Sequence, residues 1–127
     1  MALYAQTSGT HQTTAPTWTA ISGLTLTLPE GVGTSALIIL NAPNPYATGN
    51  KNPGGNFGVS VNGAVSPVVA TFTYNEAQPA SYGRMPTTLV LSVPLGNKPQ
   101  TVMAMWSNVR GSNVIIDSPA SLSAILT

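Results

Sequence analysis

The sequence predicts an all-β domain of the jelly-roll β-sandwich class, and three observations support that prediction. Segments rich in strand-forming residues recur at intervals of about 8 to 14 residues. Clusters of Gly, Pro and Asn separate these segments, and the 127 residues include 12 Gly and 11 Pro. No segment has the apolar spacing of an amphipathic helix. About ten short strands punctuated in this way are typical of a single sandwich domain, here covering residues 1–127.

The N-terminal third contains four predicted strands and one polar segment. Leu3–Thr7 and Trp18–Ser22 are the first two strands, and the polar segment Ser8–Thr17 between them is expected to be a loose arm. Leu24–Leu28 alternates Leu with Thr strictly, which places the leucines on one face of a strand and the threonines on the other. Ser35–Asn41 is almost continuously apolar, which predicts a strand buried on both faces.

The rest of the chain contains a predicted hairpin and five further strands. Asn62 and Gly63 adopt positive φ readily, as the two central residues of a type I′ turn must. This turn is expected to join Phe57–Val61 to Ala64–Val69. The other predicted strands are Ala70–Asn75, Thr88–Val93, Thr101–Trp106, Asn113–Asp117 and Ala120–Leu126.

The content of charged residues is very low and excludes two classes of partner. Four Lys and Arg against three Asp and Glu give a net charge of +1, and charged residues make up 6% of the chain. We expect no nucleic-acid partner, because phosphate binding needs clustered Lys and Arg. We also expect no membrane insertion, since the longest aliphatic run, Ala36–Leu40, is far shorter than a membrane-spanning helix.

Uncharged polar side chains replace the missing charges, with Thr, Ser and Asn together making up 38 residues. Edge strands and outer faces of soluble sandwiches are normally protected by charge. Neutral faces lose their water more easily, so a symmetric homo-oligomer is expected rather than a monomer with a Thr- and Ser-rich surface.

The N-terminal segment Met1–Thr10 has neither the basic nor the apolar region of a secretory signal. We therefore expect synthesis in the cytoplasm, followed by action at the cell surface or outside the cell through another export route.

The residues that commonly carry catalysis or bind metals are scarce. The single histidine, His11, lies in the polar arm, and the only acids are Glu30, Glu76 and Asp117. Glu76 and Asp117 are the one pair that could serve a glycosidase, which needs two carboxylates facing one bond. Without cysteine and with three scattered acids, no metal site and no cofactor are predicted. The sequence therefore favours a binding protein over an enzyme.

Two arginines and one aspartate are the charged candidates for a binding site. Arg84 and Arg110 each have turn-forming neighbours, and Asp117 ends a predicted strand. Arginine carries five N–H donors in a rigid fork that suits neighbouring hydroxyl groups on a small ligand. The alternative is that Arg110 and Asp117 form an ion pair that only holds a loop.

Three tyrosines, Tyr46, Tyr74 and Tyr82, lie in or beside predicted loops. Carbohydrate recognition uses an aromatic face against the C–H patch of the sugar together with planar polar groups that reach its hydroxyls. The residues thus favour a neutral, hydroxylated ligand, while the alternative is that the tyrosines only pack against the domain.

Several motifs occur in order at these positions. The chain resembles the TNF-like fucose-binding bacterial lectins, the family typified by the N-terminal domain of the Burkholderia superlectin BC2L-C. The likeness runs from about residue 35 to the C-terminus and is weak over the first 30 residues. The matching segments are Asn44–Asn50, Phe72–Tyr74, Gly83–Pro86, Ser107–Ser112, Ile116–Ser118 and Ala120–Ile125.

This resemblance implies a jelly-roll homotrimer with metal-independent sugar sites between neighbouring protomers and fucosylated glycans as partners. The residues implied to contact fucose from one protomer are Thr73, Tyr74 and Arg110, and those from its neighbour are Tyr46, Ser81 and Arg84. Asp117 is implied to support extended fucosylated glycans.

Three positions depart from the family pattern. Tyr82 stands where the family has Thr, which keeps a hydroxyl and adds a ring that can stack on the ligand or narrow the site. Asn56 replaces an aromatic residue, and Pro119 replaces a tyrosine after Ser118. Asn56 and Ser118 fall where sugar residues beyond the fucose would lie.

Together these expectations give a mechanism, in which Arg84 and Arg110 from opposite protomers donate to one fucose while tyrosine rings cover its apolar face. Two alternatives use the same fold without a sugar site. One is a structural or assembly jelly-roll module, and the other is a TNF-like ligand for a protein receptor.

Overall fold

The computed structural model describes residues 1–127, which form twelve β-strands and no helix. The strands are β1 (Ala2–Gln6), β2 (His11–Thr13), β3 (Thr19–Leu28), β4 (Ser35–Ala42), β5 (Tyr46–Thr48), β6 (Gly54–Val61), β7 (Ala64–Val65), β8 (Ala70–Thr73), β9 (Thr87–Pro94), β10 (Gln100–Val109), β11 (Asn113–Ile116) and β12 (Ser121–Leu126).

These strands form three antiparallel sheets. The first sheet has the order β1-β12-β4-β9, and the second has the order β3-β10-β6-β7 with β8 also paired to β6. A small third sheet has the order β2-β11-β5. Strands distant in sequence are neighbours in both large sheets, as in a jelly roll. The all-β sandwich predicted from the sequence is confirmed.

A single core of 24 buried apolar residues contains side chains from all three sheets. The alternation of Leu24, Leu26 and Leu28 places all three leucines in this core, as the sequence predicts, and the intervening threonines are exposed. Phe57 and Trp106 bring aromatic rings into the core from neighbouring strands of the second sheet, with centroids 6.4 Å apart.

The strand β4 is not buried on both faces, so that prediction is wrong. Its side chains alternate between buried and more exposed, with Ile38 fully buried and Leu37 39% exposed. The apolar run reflects a second apolar surface, because the outer face of the first sheet carries Leu37, Ile39, Val90 and Ile125 on adjacent strands. No Lys, Arg, Asp or Glu occurs in any of the four strands of this sheet.

The predicted strands Trp18–Ser22 and Leu24–Leu28 are one strand, β3, interrupted by a bulge. Gly23 has a φ of 89° there, and the register with β10 shifts between Met103 and Met105. The extra residue keeps both Ile21 and Leu24 buried, which strict alternation through Gly23 would not allow.

The polar segment Ser8–Thr17 is not a loose arm. His11–Thr13 forms strand β2, which pairs with β11. Farther along the segment, the side-chain amide of Asn108 donates to the carbonyl oxygen of Thr14 at 2.8 Å. Backbone pairing across such a distance in sequence leaves no local signal, which is why the prediction failed.

Two turns with positive φ at both central residues lie at opposite ends of the sandwich, one within a hairpin and one between strands of different sheets. The Asn62-Gly63 turn has φ values of 51° and 87°, which confirms the predicted type I′ turn. The second turn, between β10 and β11, places Arg110 and Gly111 at φ values of 52° and 72°. The strand after the first turn is shorter than predicted, because pairing stops at Val65.

The two ends of the chain lie side by side in the first sheet. β1 and β12 pair along their whole length, with Ala2 opposite Ile125. The amide of Leu126 donates to the carbonyl oxygen of Met1 at 2.9 Å, and Thr127 bonds to Ser35.

Candidate functional site

The pairing of β5 with β11 brings two candidate residues together. Tyr46 lies opposite Ile115, and continuing this antiparallel register places Asp117 beside Asn44. The segment that contains Arg84 joins them, because the amide of Met85 donates to the carbonyl oxygen of Pro45 at 2.8 Å. The three-residue strand β5 was not predicted, since Asn, Pro and Gly surround it.

Arg84 forms a bidentate ion pair with Asp117. Nη1 donates to Oδ1 at 2.6 Å and Nη2 donates to Oδ2 at 3.0 Å. Nη1 also donates to the carbonyl oxygen of Asn44 at 3.2 Å, and the guanidinium carbon lies 4.3 Å from the centre of the Tyr46 ring. The hydrogen bond to the Asp117 carboxylate raises the pKa of Arg84, so this group stays charged.

The expected alternative, an ion pair between Arg110 and Asp117, is wrong because Asp117 pairs with Arg84. The pair remains accessible, with the side chains of Arg84 and Asp117 exposed by 45% and 29%. Of the five N–H donors of Arg84, the Nε–H and one on Nη2 remain free. The Asp117 carboxylate likewise keeps lone pairs free on both oxygens.

A row of aromatic rings leads from the core to this ion pair. The centroids of Phe57 and Phe72 are 6.3 Å apart, those of Phe72 and Tyr74 are 6.0 Å apart, and those of Tyr74 and Tyr82 are 6.0 Å apart. The last two pairs meet edge to face, a favoured arrangement for aromatic rings. Tyr82, at the outer end of the row, is half-buried.

The hydroxyl of Tyr74 serves the fold. It donates to the carbonyl oxygen of Gly83 at 2.7 Å and accepts a weaker bond from the amide of Ala47 at 3.4 Å. Burial raises the pKa of Tyr74, so the hydroxyl remains a donor above the ordinary tyrosine range. The hydroxyls of Tyr46 and Tyr82 make no hydrogen bond in the structure, which leaves both free for a ligand near Arg84. We call Tyr46, Tyr74, Tyr82, Arg84 and Asp117 the Arg84 cluster.

Arg110 lies outside this cluster. Its Nε donates to the carbonyl oxygens of Lys51 and Asn52 at 2.9 and 3.3 Å, so the four N–H groups on its two terminal nitrogens stay free. Asn52 also donates through its side chain to the carbonyl oxygen of Tyr74 at 3.3 Å. Asn52 thus connects the two arginine regions, a role that the sequence does not predict, because all three bonds are accepted by backbone oxygens.

Gly54 allows β8 to approach β6 closely, which places Thr73 near the loop that Arg110 contacts. It lies opposite Thr73 in the register, and a Cβ atom at Gly54 would collide with the carbonyl oxygen of Phe72 and lie 2.9 Å from the Cα of Thr73. The hydroxyl of Ser112 accepts from the Gly54 amide at 3.2 Å and donates to its carbonyl oxygen at 2.7 Å. Thr73 is half-buried beside Tyr74.

The remaining candidates differ in their surroundings. Ser81 is exposed and Ser118 is half-buried, each next in sequence to a member of the Arg84 cluster. The amide of Asn56 is engaged by neighbouring strands, because it donates to Ser107 at 3.0 Å and accepts from Thr71 at 2.7 Å. No hydrogen bond joins Asn56 to either arginine.

The Arg84 cluster is an open surface and not a cleft. The two clefts of the molecule, of about 510 and 390 Å³, lie at the opposite end and are formed by the loops that contain Glu30, Asn62 and Lys98. No group of three or more His, Cys, Asp and Glu side chains is close enough together to hold a metal ion. The structure contains no helix that could cross a bilayer.

Three solved structures are similar to the chain at low identity. Dimeric latent PorU from Porphyromonas gingivalis is 15% identical with a TM-score of 0.46, over 95% of this chain and 13% of that chain. The carbohydrate-binding module CBM36, in complex with calcium and xylotriose, is 9% identical with a TM-score of 0.44, over 100% and 99%. Eiger TNF from S. frugiperda is 8% identical with a TM-score of 0.41, over 99% and 92%. The chain thus spans about an eighth of the PorU chain.

No curated protein matches the chain in sequence. The family model described as "Bc2l-C, N-terminal domain" matches residues 5–125. This match confirms the resemblance found in the sequence, and it extends into the first 30 residues, where the motifs alone were weak. The chain belongs to the Bc2l-C N-terminal domain family.

Proposed function

We propose that the chain is a lectin domain that binds L-fucose and fucosylated oligosaccharides without a metal ion, at sites between the protomers of a homotrimer. Family membership supports a sugar-binding role, because the matched family is the one whose fucose-binding lectins the motifs of this chain resemble. The observation that carries the proposal is the Arg84 cluster. It combines an exposed guanidinium–carboxylate pair with tyrosine rings, and so offers donors and acceptors for hydroxyls and an aromatic surface for the apolar face of a sugar.

The open form of the Arg84 cluster supports a site completed by a second copy. Sugar-binding sites are usually concave, whereas neither cleft of the single chain contains a residue of this cluster. In the proposed site, Arg110 approaches from the neighbouring protomer with its four free N–H groups. Thr73 lies on the same side as Arg110, whereas Ser81 contributes beside Tyr82 and Arg84. Tyr74, which the resemblance groups with Thr73 and Arg110, packs beside Tyr82 within the same chain.

The outer face of the first sheet supports the oligomer. Leu37, Val90 and Ile125 are 39%, 50% and 45% exposed there, and the four strands carry no charged residue. Exposed apolar surface without charge is typical of faces that another copy covers. We propose that this face forms the trimer interface.

We also propose that the domain is not an enzyme and that it acts at the cell surface or outside the cell. Arg84 holds Asp117, one of the two carboxylates that a glycosidase would need, in an ion pair.

A glycan array with free L-fucose as competitor tests this function. We expect binding to fucosylated glycans that free L-fucose abolishes and that a chelator leaves unchanged. An array without saturable binding would contradict the lectin function and favour an assembly module or a receptor ligand. Loss of binding with the chelator would contradict metal independence alone.

Light scattering after size exclusion tests the trimer. Val90→Lys places a charge on the outer face of the first sheet, and Val32→Lys places the same charge on the exposed loop before β4. We expect a trimer that Val90→Lys dissociates and Val32→Lys preserves. A monomer in the unsubstituted protein, or equal behaviour of the two variants, would contradict the proposed interface.

A further inference from the structure

The fork of Arg84 is already filled by a carboxylate that belongs to the same chain. Nη1 and Nη2 each donate to one oxygen of Asp117, at 2.6 and 3.0 Å. This paired geometry is the one in which arginine binds the carboxylate or sulfate of a ligand. Any acidic sugar that sought the same fork would have to displace Asp117, which is held beside it by the pairing of β11 with β5.

The hydrogen-bonding groups that remain suit a ligand with hydroxyls. Arg84 keeps two N–H donors and Asp117 keeps lone pairs, so donors and acceptors lie side by side on an ion pair with no net charge. Two neighbouring hydroxyls can accept from the arginine and donate to the aspartate. A carboxylate or sulfate has no hydrogen to donate, and its charge would face that of Asp117.

We propose that Asp117 is a specificity-determining residue that disfavours anionic sugars, because it occupies the Nη1–Nη2 fork of Arg84 and places a negative charge beside the two donors that stay free. The proposal rests on the lectin function proposed above and adds the class of ligand that the site rejects. Asp117 acts here as a positioning residue, because it controls which donors of Arg84 a ligand can reach. Removing its charge should open the fork to carboxylates.

Calorimetric titration with two matched sugars tests this proposal. L-fucose and L-galacturonate share one ring stereochemistry and differ at C6, where the first carries a methyl group and the second a carboxylate. We expect the unsubstituted protein to prefer L-fucose. In Asp117→Asn, the affinity for L-galacturonate relative to L-fucose should rise at least about tenfold, the usual effect of one hydrogen bond to a charged group.

Three variants isolate the cause. Glu76→Gln removes the same charge from an exposed loop and should leave the ratio of affinities unchanged. Asp117→Glu keeps the carboxylate and should keep the ratio low. Combining Arg84→Gln with Asp117→Asn should abolish the gain. An unchanged ratio in Asp117→Asn, or an equal rise in Glu76→Gln, would overturn the proposal.

A second measurement separates this proposal from the lectin function. Acetate carries a carboxylate without a sugar ring, and its contact with Arg84 can be followed by NMR of the side-chain Nε–H. We expect acetate to shift this resonance much more strongly in Asp117→Asn than in the unsubstituted protein, where the charge of Asp117 repels it. If L-fucose fails to bind while acetate behaves in this way, the lectin function is wrong and the role of Asp117 stands. If acetate moves the resonance equally in both proteins, the role of Asp117 is wrong.

Discussion

The two type I′ turns of the molecule have one backbone conformation and very different residues. At one end, Asn62 occupies the first central position, where Asn is among the preferred residues. At the other end, Arg110 occupies the equivalent position at a φ of 52°, although a long side chain in this region costs about 1 kcal/mol or more. Both turns have Gly at the second position.

This difference separates a turn that only closes a hairpin from one that presents a side chain. The Asn62 side chain accepts from the backbone amide of Thr101 at 2.9 Å, which serves the fold. Arg110 uses one N–H on the neighbouring loop and leaves four free. Residues held in a backbone conformation that their type disfavours are concentrated at functional sites.

The largest effect on stability should come from Gly54→Ala, which disturbs the backbone at the end of the sandwich that contains Arg110. A methyl group there meets backbone atoms of Phe72 and Thr73, which cannot rotate away, so we expect a loss of about 3 kcal/mol in the free energy of unfolding. Denaturant unfolding measures this loss. Gly96→Ala is the control at the Asn62 end, because a Cβ there has no atom within 4 Å. Equal midpoints for the two variants would contradict the close approach of β8.

Arg110→Asn makes the second turn resemble the first and should separate binding from stability. We expect L-fucose affinity to fall by about 10- to 100-fold, since a charged donor is lost. Stability should rise by about 1 kcal/mol, because Asn tolerates positive φ. Calorimetry and thermal unfolding measure the two changes. Retained affinity would remove Arg110 from the binding site, and lower stability would refute the strain.

Asn62→Arg is the reciprocal change and should affect stability alone. It places a long side chain at a φ of 51° and removes the bond to Thr101, so we expect a loss of about 1 kcal/mol in the free energy of unfolding. L-fucose affinity should remain unchanged, because this turn lies at the opposite end from the Arg84 cluster. A change in affinity would show that the two ends are coupled.

The smallest effect concerns Tyr74 at high pH. The unfolded chain loses the phenol proton near the ordinary pKa of 10.0, whereas burial keeps it on the folded chain to a higher pH. The free energy of unfolding should therefore fall as the pH rises above 10 through the folded pKa. Tyr74→Phe should flatten this decline, and Tyr4→Phe, an exposed substitution, should leave it in place. Parallel pH profiles for the two variants would contradict the assignment to Tyr74.

Local patterns predicted the parts of the fold that depend on local physics. The alternation of Leu24, Leu26 and Leu28 fixes one buried face, and Asn62-Gly63 fixes a turn. The strands β2 and β5 were missed, because each has three residues and is held by partners in β11 far along the chain.

The candidate site was predictable in its members more than in its contacts. Tyr46, Tyr74, Tyr82, Arg84 and Asp117 were all identified from the sequence, and the structure brings them together. The partner of Asp117 was not predicted, because the register between β5 and β11 determines which side chain lies beside it. The positive φ of Arg110 was not predicted either, because the sequence of Asn108–Ser112 does not by itself specify which residues form the centre of the turn.

The meeting of the two chain ends in the first sheet makes the domain a natural subject for circular permutation. The amide of Leu126 already bonds to Met1, so a short Gly-rich linker between Thr127 and Met1 would bridge little distance. New ends could then be opened in the exposed Gly96–Lys98 loop, away from the Arg84 cluster. A protein fused to the new ends of the permuted chain would lie at the opposite end of the sandwich and would leave the Arg84 cluster accessible.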